Sequence, residues 1–136
     1  LGLTRGSGRA HVVRAVLEGV ANLGADLVES AERDSGLTFP TIRIDGGMSA
    51  NPVFVQAVAD ATGRPVEVAP VTEATTLGAA FLAGMAVGTW AGFDDVAAAY
   101  RPSQVVEPGR AVDRDRWREA VSRSRRWFPD LSALDF

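Results

Sequence analysis

An α/β fold with parallel neighbouring strands is the class this sequence predicts, on three observations. Segments with apolar residues at three- and four-residue steps alternate with short β-branched runs. Glycines fall at the joints between them, where the chain must turn sharply. Apolar residues make up 46% and charged residues 23% of 136 residues, the balance of one globular domain and not of a disordered chain.

The first element is a long helix over residues 10–30. Val13, Val16, Leu17, Val20, Leu27, Val28 and Ala31 recur along it at helical spacing. Gly19 and Gly24 interrupt it. Each costs about 1 kcal/mol against alanine, so both imply the close approach of another element. Asp34-Ser35-Gly36 reads as the closing turn. Residues 41–44 form a short strand with Ile42 and Ile44 on one face, broken by Asp45-Gly46-Gly47. A second helix starts at once, because Asn51 is a good N-cap and Pro52 suits the first helical position. Gly63 is its stop.

Residues 65–68 form a second strand. A third helix, rich in alanine and glycine, runs over residues 73–87 and ends at Gly88. A short helical piece over residues 93–100 leads to an extended stretch at 104–107. The last helix starts near Asp113, with Trp117, Ala120, Val121, Ser124 and Phe128 on one face. The alternation predicts helices layered on a small sheet. No repeat, low-complexity tract or linker divides the chain.

Several function classes fall away on composition. The net charge of −3 is no electrostatic footprint for nucleic acid. All 14 basic residues are arginine, which removes lysine phosphate loops, Schiff-base lysines and lysine bases. Without cysteine there is no disulfide or thiolate nucleophile, and the single histidine, His11, builds no multi-histidine metal site. The longest apolar stretch, residues 79–87, falls far short of the roughly 18 residues of a membrane span. A cytoplasmic location is expected. The chain opens on Leu1 and not on methionine, and it reads as part of something longer.

The stretch from Ile42 through Asp45-Gly46-Gly47-Met48-Ser49-Ala50 to Asn51-Pro52 carries the most chemistry. A strand runs into two glycines and then into a helix start, where unpaired N–H groups and a partial positive charge suit nucleotide phosphates. The same pattern also occurs as a plain tight turn, and the residues alone leave both readings open. In Glu73-Ala74-Thr75-Thr76-Leu77-Gly78-Ala79-Ala80, Gly78 either lets a nucleotide lie across the helix or packs it on the sheet. For Gly84 and Gly88 packing is the better reading.

These motifs carry a resemblance. Gly2-Leu3-Thr4-Arg5-Gly6 with His11-Val12-Val13-Arg14-Ala15-Val16-Leu17-Glu18 is similar to the downstream part of the second signature of the FGGY carbohydrate kinases. Asp45-Gly46-Gly47 and Thr76-Leu77-Gly78-Ala79-Ala80 fall where that family has its adenosine-binding segments. Two runs, residues 45–51 and 83–90, resemble the members that phosphorylate glycerol. The likeness extends from Gly2 to about Trp127.

The resemblance implies a partial actin-like, ribonuclease-H-like ATPase lobe, the C-terminal nucleotide-binding lobe of a two-lobed kinase, over residues 1–136 and lacking its first strands. ATP with Mg²⁺ would bind between the lobes, and the γ-phosphate would pass to a polyol hydroxyl, glycerol before xylulose or another sugar. The backbone of Gly47 would lie against the phosphates, Gly46 would let the turn approach, Asn51 would sit near the adenine, and Gly78 would line the same side. The catalytic base, the polyol pocket and most metal ligands would lie outside the chain, so the chain alone is expected to be inactive. Its partners would be ATP or ADP and, through the other lobe, a polyol or sugar; a homo-oligomer is compatible with this. The strand at 41–44 is expected to have an open edge. A noncatalytic actin-like binding module is the rival reading.

Asn51 has a second use as a helix cap, and Asp45 more readily holds its turn than acts as a base. His11 is expected to be structural or solvated. The arginines of residues 114–126 are expected to form a solvated helix face, and Trp117 and Trp127 to pack.

Overall fold

The computed structural model describes residues 2–125. Helix α1 spans Arg9–Ser35, strand β1 Ile42–Ile44, helix α2 Pro52–Thr62, strand β2 Val66–Val68, helix α3 Ala74–Ala86, helix α4 Phe93–Ala99, strand β3 Gln104–Val106 and helix α5 Arg114–Ser124. A 3-10 turn, Gly47–Ala50, joins β1 to α2.

The sheet order is β1-β2-β3. β1 and β2 are parallel, with Ile42 opposite Val66 and Ile44 opposite Val68. β3 runs antiparallel to β2, pairing Val106 with Val66 and Gln104 with Val68. The extended stretch near residue 104 is thus a sheet strand. Ser103 seals that pairing, its amide and hydroxyl both donating to the Val68 carbonyl. β1 is an edge strand among the described residues, as expected.

The core lies between α1, α2 and one face of the sheet. Ala21 and Ala25 of α1 meet Val55, Val58, Ala59 and Ala61 of α2 and Val66 and Val68 of β2, with Ile42, Ile44, Phe54 and Val106 packed around them. Two alanines on α1 let the two helices approach closely. α2 begins and ends as its sequence dictates. Asn51 Oδ1 accepts from the amides of Val53 and Phe54, and Gly63 closes the helix at φ 65°.

α1 departs from its sequence reading in three ways. It continues through Asp34 and Ser35 and stops at Gly36, left-handed at φ 69°, whose N–H reaches the Glu32 carbonyl. Its apolar stripe is mostly open: Val13, Val16, Val20 and Leu27 are exposed. Length explains this, since at 1.5 Å per residue an 11-residue α2 spans less than half of a 27-residue α1. Gly19 and Gly24 have no neighbour close enough to touch an added Cβ, so the close approach expected there is absent among the described residues.

Gly84 is the glycine that packing demands. It is buried in α3, and a Cβ there would fall 2.0 Å from Trp90 Cζ3. The contact is with Trp90 and not with the sheet; Trp90 also meets Phe81 edge-on, 5.2 Å between centroids. Gly84→Val is therefore expected to evict the indole and destabilise this corner by about 1–3 kcal/mol, the usual range for overpacking. A red-shifted tryptophan emission and a lower unfolding midpoint would show it; unchanged values would mean that Trp90 packs elsewhere. Gly88, at φ 79°, follows the end of α3 and meets nothing.

The last helix is tied to the first. The Arg114 side chain is 14% exposed, its Nη1 donates to the Asn22 carbonyl and Asn22 Oδ1, and its Nε donates to Glu29. It also pairs with Asp26, whose other oxygen accepts Trp117 Nε1 at 2.9 Å. Arg118 donates to Glu29 at 2.9 Å. The solvated arginine face is thus corrected at Arg114, which clamps α5 onto α1, while Arg118 stays half exposed and adds its pair with Glu29. Arg116, Arg123 and Arg125 remain exposed. Trp117 is half-buried, as a packing residue should be. Phe128 and Trp127 lie outside the described residues. Among those residues no helix is long and apolar enough to cross a membrane.

Candidate functional site

Parallel strands β1 and β2 end side by side, and open α/β sheets bind ligands outside the carboxyl ends of such strands. Two connections meet there, the turn from β1 into α2 and the loop from β2 into α3. They are stitched together. The Gly46 amide donates to the Thr72 carbonyl at 3.1 Å, and Asp45 Oδ2 accepts from the Ala74 amide at 3.2 Å. Asp45 holds backbone, as its position before two glycines suggested, and its partner is the first residue of α3.

Gly46 has φ 83° and ψ 177°, a region that side chains exclude. Its carbonyl takes both the Ser49 amide, at 3.1 Å, and the Ser49 hydroxyl, at 2.7 Å. That closes the 3-10 turn and leaves the amides of Gly47 and Met48 at the turn's start without an intrahelical acceptor. Gly47 is exposed, and among the described residues nothing lies within 4 Å of where its Cβ would be. The turn therefore presents bare backbone donors beside open space.

Asn51 follows directly. Its Oδ1 is spent on the α2 cap, while its Nδ2 makes no hydrogen bond among the described residues and is left to donate outward. Capping and ligand contact are compatible because they use different atoms. Gly78 sits one turn along α3 from Ala74, half-buried, with nothing within 4 Å of a Cβ. Of its two readings, packing finds no partner among the described residues, and its flank is open. The structure thus brings Gly46, Gly47 and Asn51 into one continuous turn and tethers the helix bearing Gly78 to it.

The sequence reading missed what stands beside Asn51. The N-terminal half of α1 and the start of α2 line a shallow, open groove of about 710 Å³, with Ala10, Val13, Leu17 and Val53 as its apolar residues and Asn51 and two arginines, Arg9 and Arg14, beside them. Its volume falls within the range of small-molecule sites. Val13 and Leu17 belonged to the apolar stripe, and helical spacing alone does not tell a core face from a ligand-facing one. His11 lies outside this groove lining; its Nδ1 accepts the Gly8 amide at 3.2 Å and caps α1, the structural role expected. Among the described residues no group of three His, Cys, Asp or Glu side chains is placed to hold a metal.

Known proteins resemble this chain in sequence and fold. Residues 1–87 match the C-terminal domain of the FGGY family of carbohydrate kinases. Glycerol kinase of Deinococcus radiodurans is 43% identical over 98% of the chain, and glycerol kinase 2 of Thermotoga maritima 45% identical over 93%. The chain spans 28% and 27% of their lengths. Among solved structures, Plasmodium falciparum glycerol kinase with ADP superposes at a TM-score of 0.78, with 35% identity over 92% of this chain and 26% of that one. A xylulose kinase from Rhodospirillum rubrum superposes at 0.73, with 29% identity over 91% and 26%. The helix-on-sheet topology is that of the actin-like ATPase fold shared by these sugar kinases. By sequence match and by fold, the chain belongs to the FGGY family of carbohydrate kinases, and its residues 1–87 are the part that matches that family's C-terminal domain.

Proposed function

We propose that this chain is the nucleotide-binding part of an ATP-dependent kinase that passes the γ-phosphate to glycerol. The observation that carries the reading is the bare turn at Gly47, with unspent amides and no side chain in the way, followed by Asn51 with a free Nδ2 at the edge of an apolar groove. The Gly47 and Met48 amides would hold phosphate oxygens. Gly46 sets the turn, and Asn51 would donate to the adenine. Gly78 would leave room for the nucleotide along α3.

Phosphoryl transfer rests on positioning and on charge stabilisation, in which Mg²⁺ is a main contributor. The described residues offer no ready ligand set, so the metal would arrive on the phosphates and take its protein ligands from outside these residues. Glycerol is favoured over xylulose because the relatives at 43% and 45% identity are glycerol kinases, whereas the xylulose kinase neighbour stands at 29%. The polyol site and the base that takes its hydroxyl proton are assigned to the other lobe.

Titrating Mg·ADP into the chain, read by backbone-amide NMR, tests this. Shifts centred on Gly47, Met48 and Asn51 are expected at millimolar nucleotide, with no glycerol phosphorylation by the chain alone in a coupled assay. Absence of any shift, or shifts confined to α5, would overturn the nucleotide reading. Turnover by the chain alone would overturn the assignment of the base to another lobe.

A further inference from the structure

We infer that Arg14 is the face on which the base of the bound nucleotide stacks, and that Glu18 and Arg110 hold it in place for that purpose; this rests on the nucleotide reading above. Arg14 lines the apolar groove beside Asn51. With Pro52, Val53 and Ala57 it also lines a second groove of about 330 Å³, whose polar side is formed by Glu18, Gln56, Asp60 and Arg110. It therefore stands on the wall between the two.

The wall is anchored from the polar side. Arg14 Nε donates to Glu18 Oε1 at 2.8 Å, and the same oxygen accepts Arg110 Nη2 at 2.7 Å. Arg110 Nε in turn donates to Asp60 Oδ2 at 3.2 Å, and Asp60 is buried. The relay Arg14–Glu18–Arg110–Asp60 thus ends in the core.

Only Nε of Arg14 is used, and its two terminal nitrogens make no hydrogen bond among the described residues. The guanidinium is fixed at one edge, with its plane and its outer donors unspent. A planar cation favours the π-face of a heterocycle, and the bond from Nε to Glu18 limits the directions in which the Arg14 plane can turn. Arg9, the other arginine at the groove, has no such tether among the described residues and lies in the first turn of α1. The groove therefore offers an apolar floor for a flat ring, an Asn51 donor for its edge and the Arg14 plane for its face. That combination fits a purine better than a pyrimidine, because the larger ring gains more from stacking.

Backbone-amide titrations of Mg·ADP and Mg·UDP into the chain, Arg14→Ala, Arg14→Lys and Glu18→Gln test the inference, with the unfolding transition of each variant as the control for folding. The Arg14 side chain is 59% exposed, so its variants are expected to fold. Arg14→Ala should weaken ADP binding about fivefold to tenfold and UDP binding less than about twofold. Arg14→Lys keeps the charge but loses the plane, and it should match Arg14→Ala. Glu18→Gln should fall between. Unchanged ADP affinity in Arg14→Ala, with Gly47 and Asn51 still shifting, would overturn the role of Arg14 and leave the nucleotide site standing. Full affinity in Arg14→Lys with equal losses for ADP and UDP in Arg14→Ala would replace stacking by simple attraction to phosphate. No shift in the unsubstituted chain would remove this inference together with the nucleotide reading.

Discussion

Gly47→Val is expected to lower Mg·ADP affinity by about tenfold or more, equivalent to about 1.4 kcal/mol, while leaving the unfolding transition unmoved. Gly46→Val should lower the unfolding transition whether or not nucleotide is present. The two glycines are adjacent and do different work. Gly46 sits at φ 83° and ψ 177°, where any side chain is strained by about 1–3 kcal/mol. Gly47 lies outside that region, and none of the described residues occupies the space beside it. A branched side chain there costs the fold little but would stand where, on the proposed nucleotide reading, phosphate oxygens meet the backbone. Calorimetric titration and thermal unfolding of both variants separate the effects. A folded Gly47→Val chain with undiminished affinity would reduce Gly47 to a turn residue and move the phosphates elsewhere.

The residues around this turn were legible in the sequence because their signals are local. Asn51-Pro52 fixes the start of α2, Gly63 its end, and Asp45-Gly46-Gly47 the break after β1; each acts within four residues of itself. The groove was hidden for the opposite reason. Val13 and Leu17 show the same periodicity whether they face a sheet, another helix or a ligand, and only the short reach of α2 along α1 decides between these. Arg114 misled because a row of arginines on a terminal helix is ordinarily solvated. What draws it inward is a set of acceptors, Asn22, Asp26 and Glu29, roughly ninety residues earlier in the chain. Gly84 signalled tight packing correctly, but its partner Trp90 lies beyond the end of the same helix rather than on the sheet. The antiparallel return of β3 likewise depends on long-range pairing that a three-residue run does not advertise.

Asp60 gave no sequence signal and carries the second large prediction. It lies among the buried residues of α2 and is 7% exposed, yet its carboxylate fastens Gly109 and Arg110 to the core. Oδ1 accepts from Gln56 Nε2 at 2.9 Å, from the Gly109 amide at 2.8 Å and from the Arg110 amide at 3.3 Å, and Oδ2 takes the Arg110 guanidinium. Burial pushes its pKa up, but the donors from Gln56, Gly109 and Arg110 outweigh burial and hold the carboxyl below its ordinary value. Glu18 is lowered too, first by its hydrogen bond from Arg14, and Glu32 by the Phe39 amide and Arg64. A carboxylate with a depressed folded pKa contributes stability that is complete above its unfolded value, about 4, and is lost as pH falls through the folded one. Stability should therefore be level with respect to these groups from neutrality down to about pH 5 and should fall steeply below about pH 4. Asp60→Asn keeps the shape but withdraws the charge and sets an amide N–H₂ against a donor. Removing one partner of a buried ion pair costs about 3–5 kcal/mol, and hydrogen bonds to charged groups about 1.5–3. Because Arg110 is half exposed, the ion-pair figure is discounted for solvent screening and the hydrogen-bond range applies, about 1.5–3 kcal/mol at neutral pH. The variant should also lose part of the acid-dependent slope, since one of the groups that must be protonated is gone. Denaturant unfolding of both chains between pH 3 and pH 7 measures the two effects together. A variant whose curve runs parallel to the parent's through the acid limb would show that Asp60 binds its proton equally in the folded and unfolded states, and the anchor of the Arg110–Glu18–Arg14 relay would have to be sought in Glu18 alone.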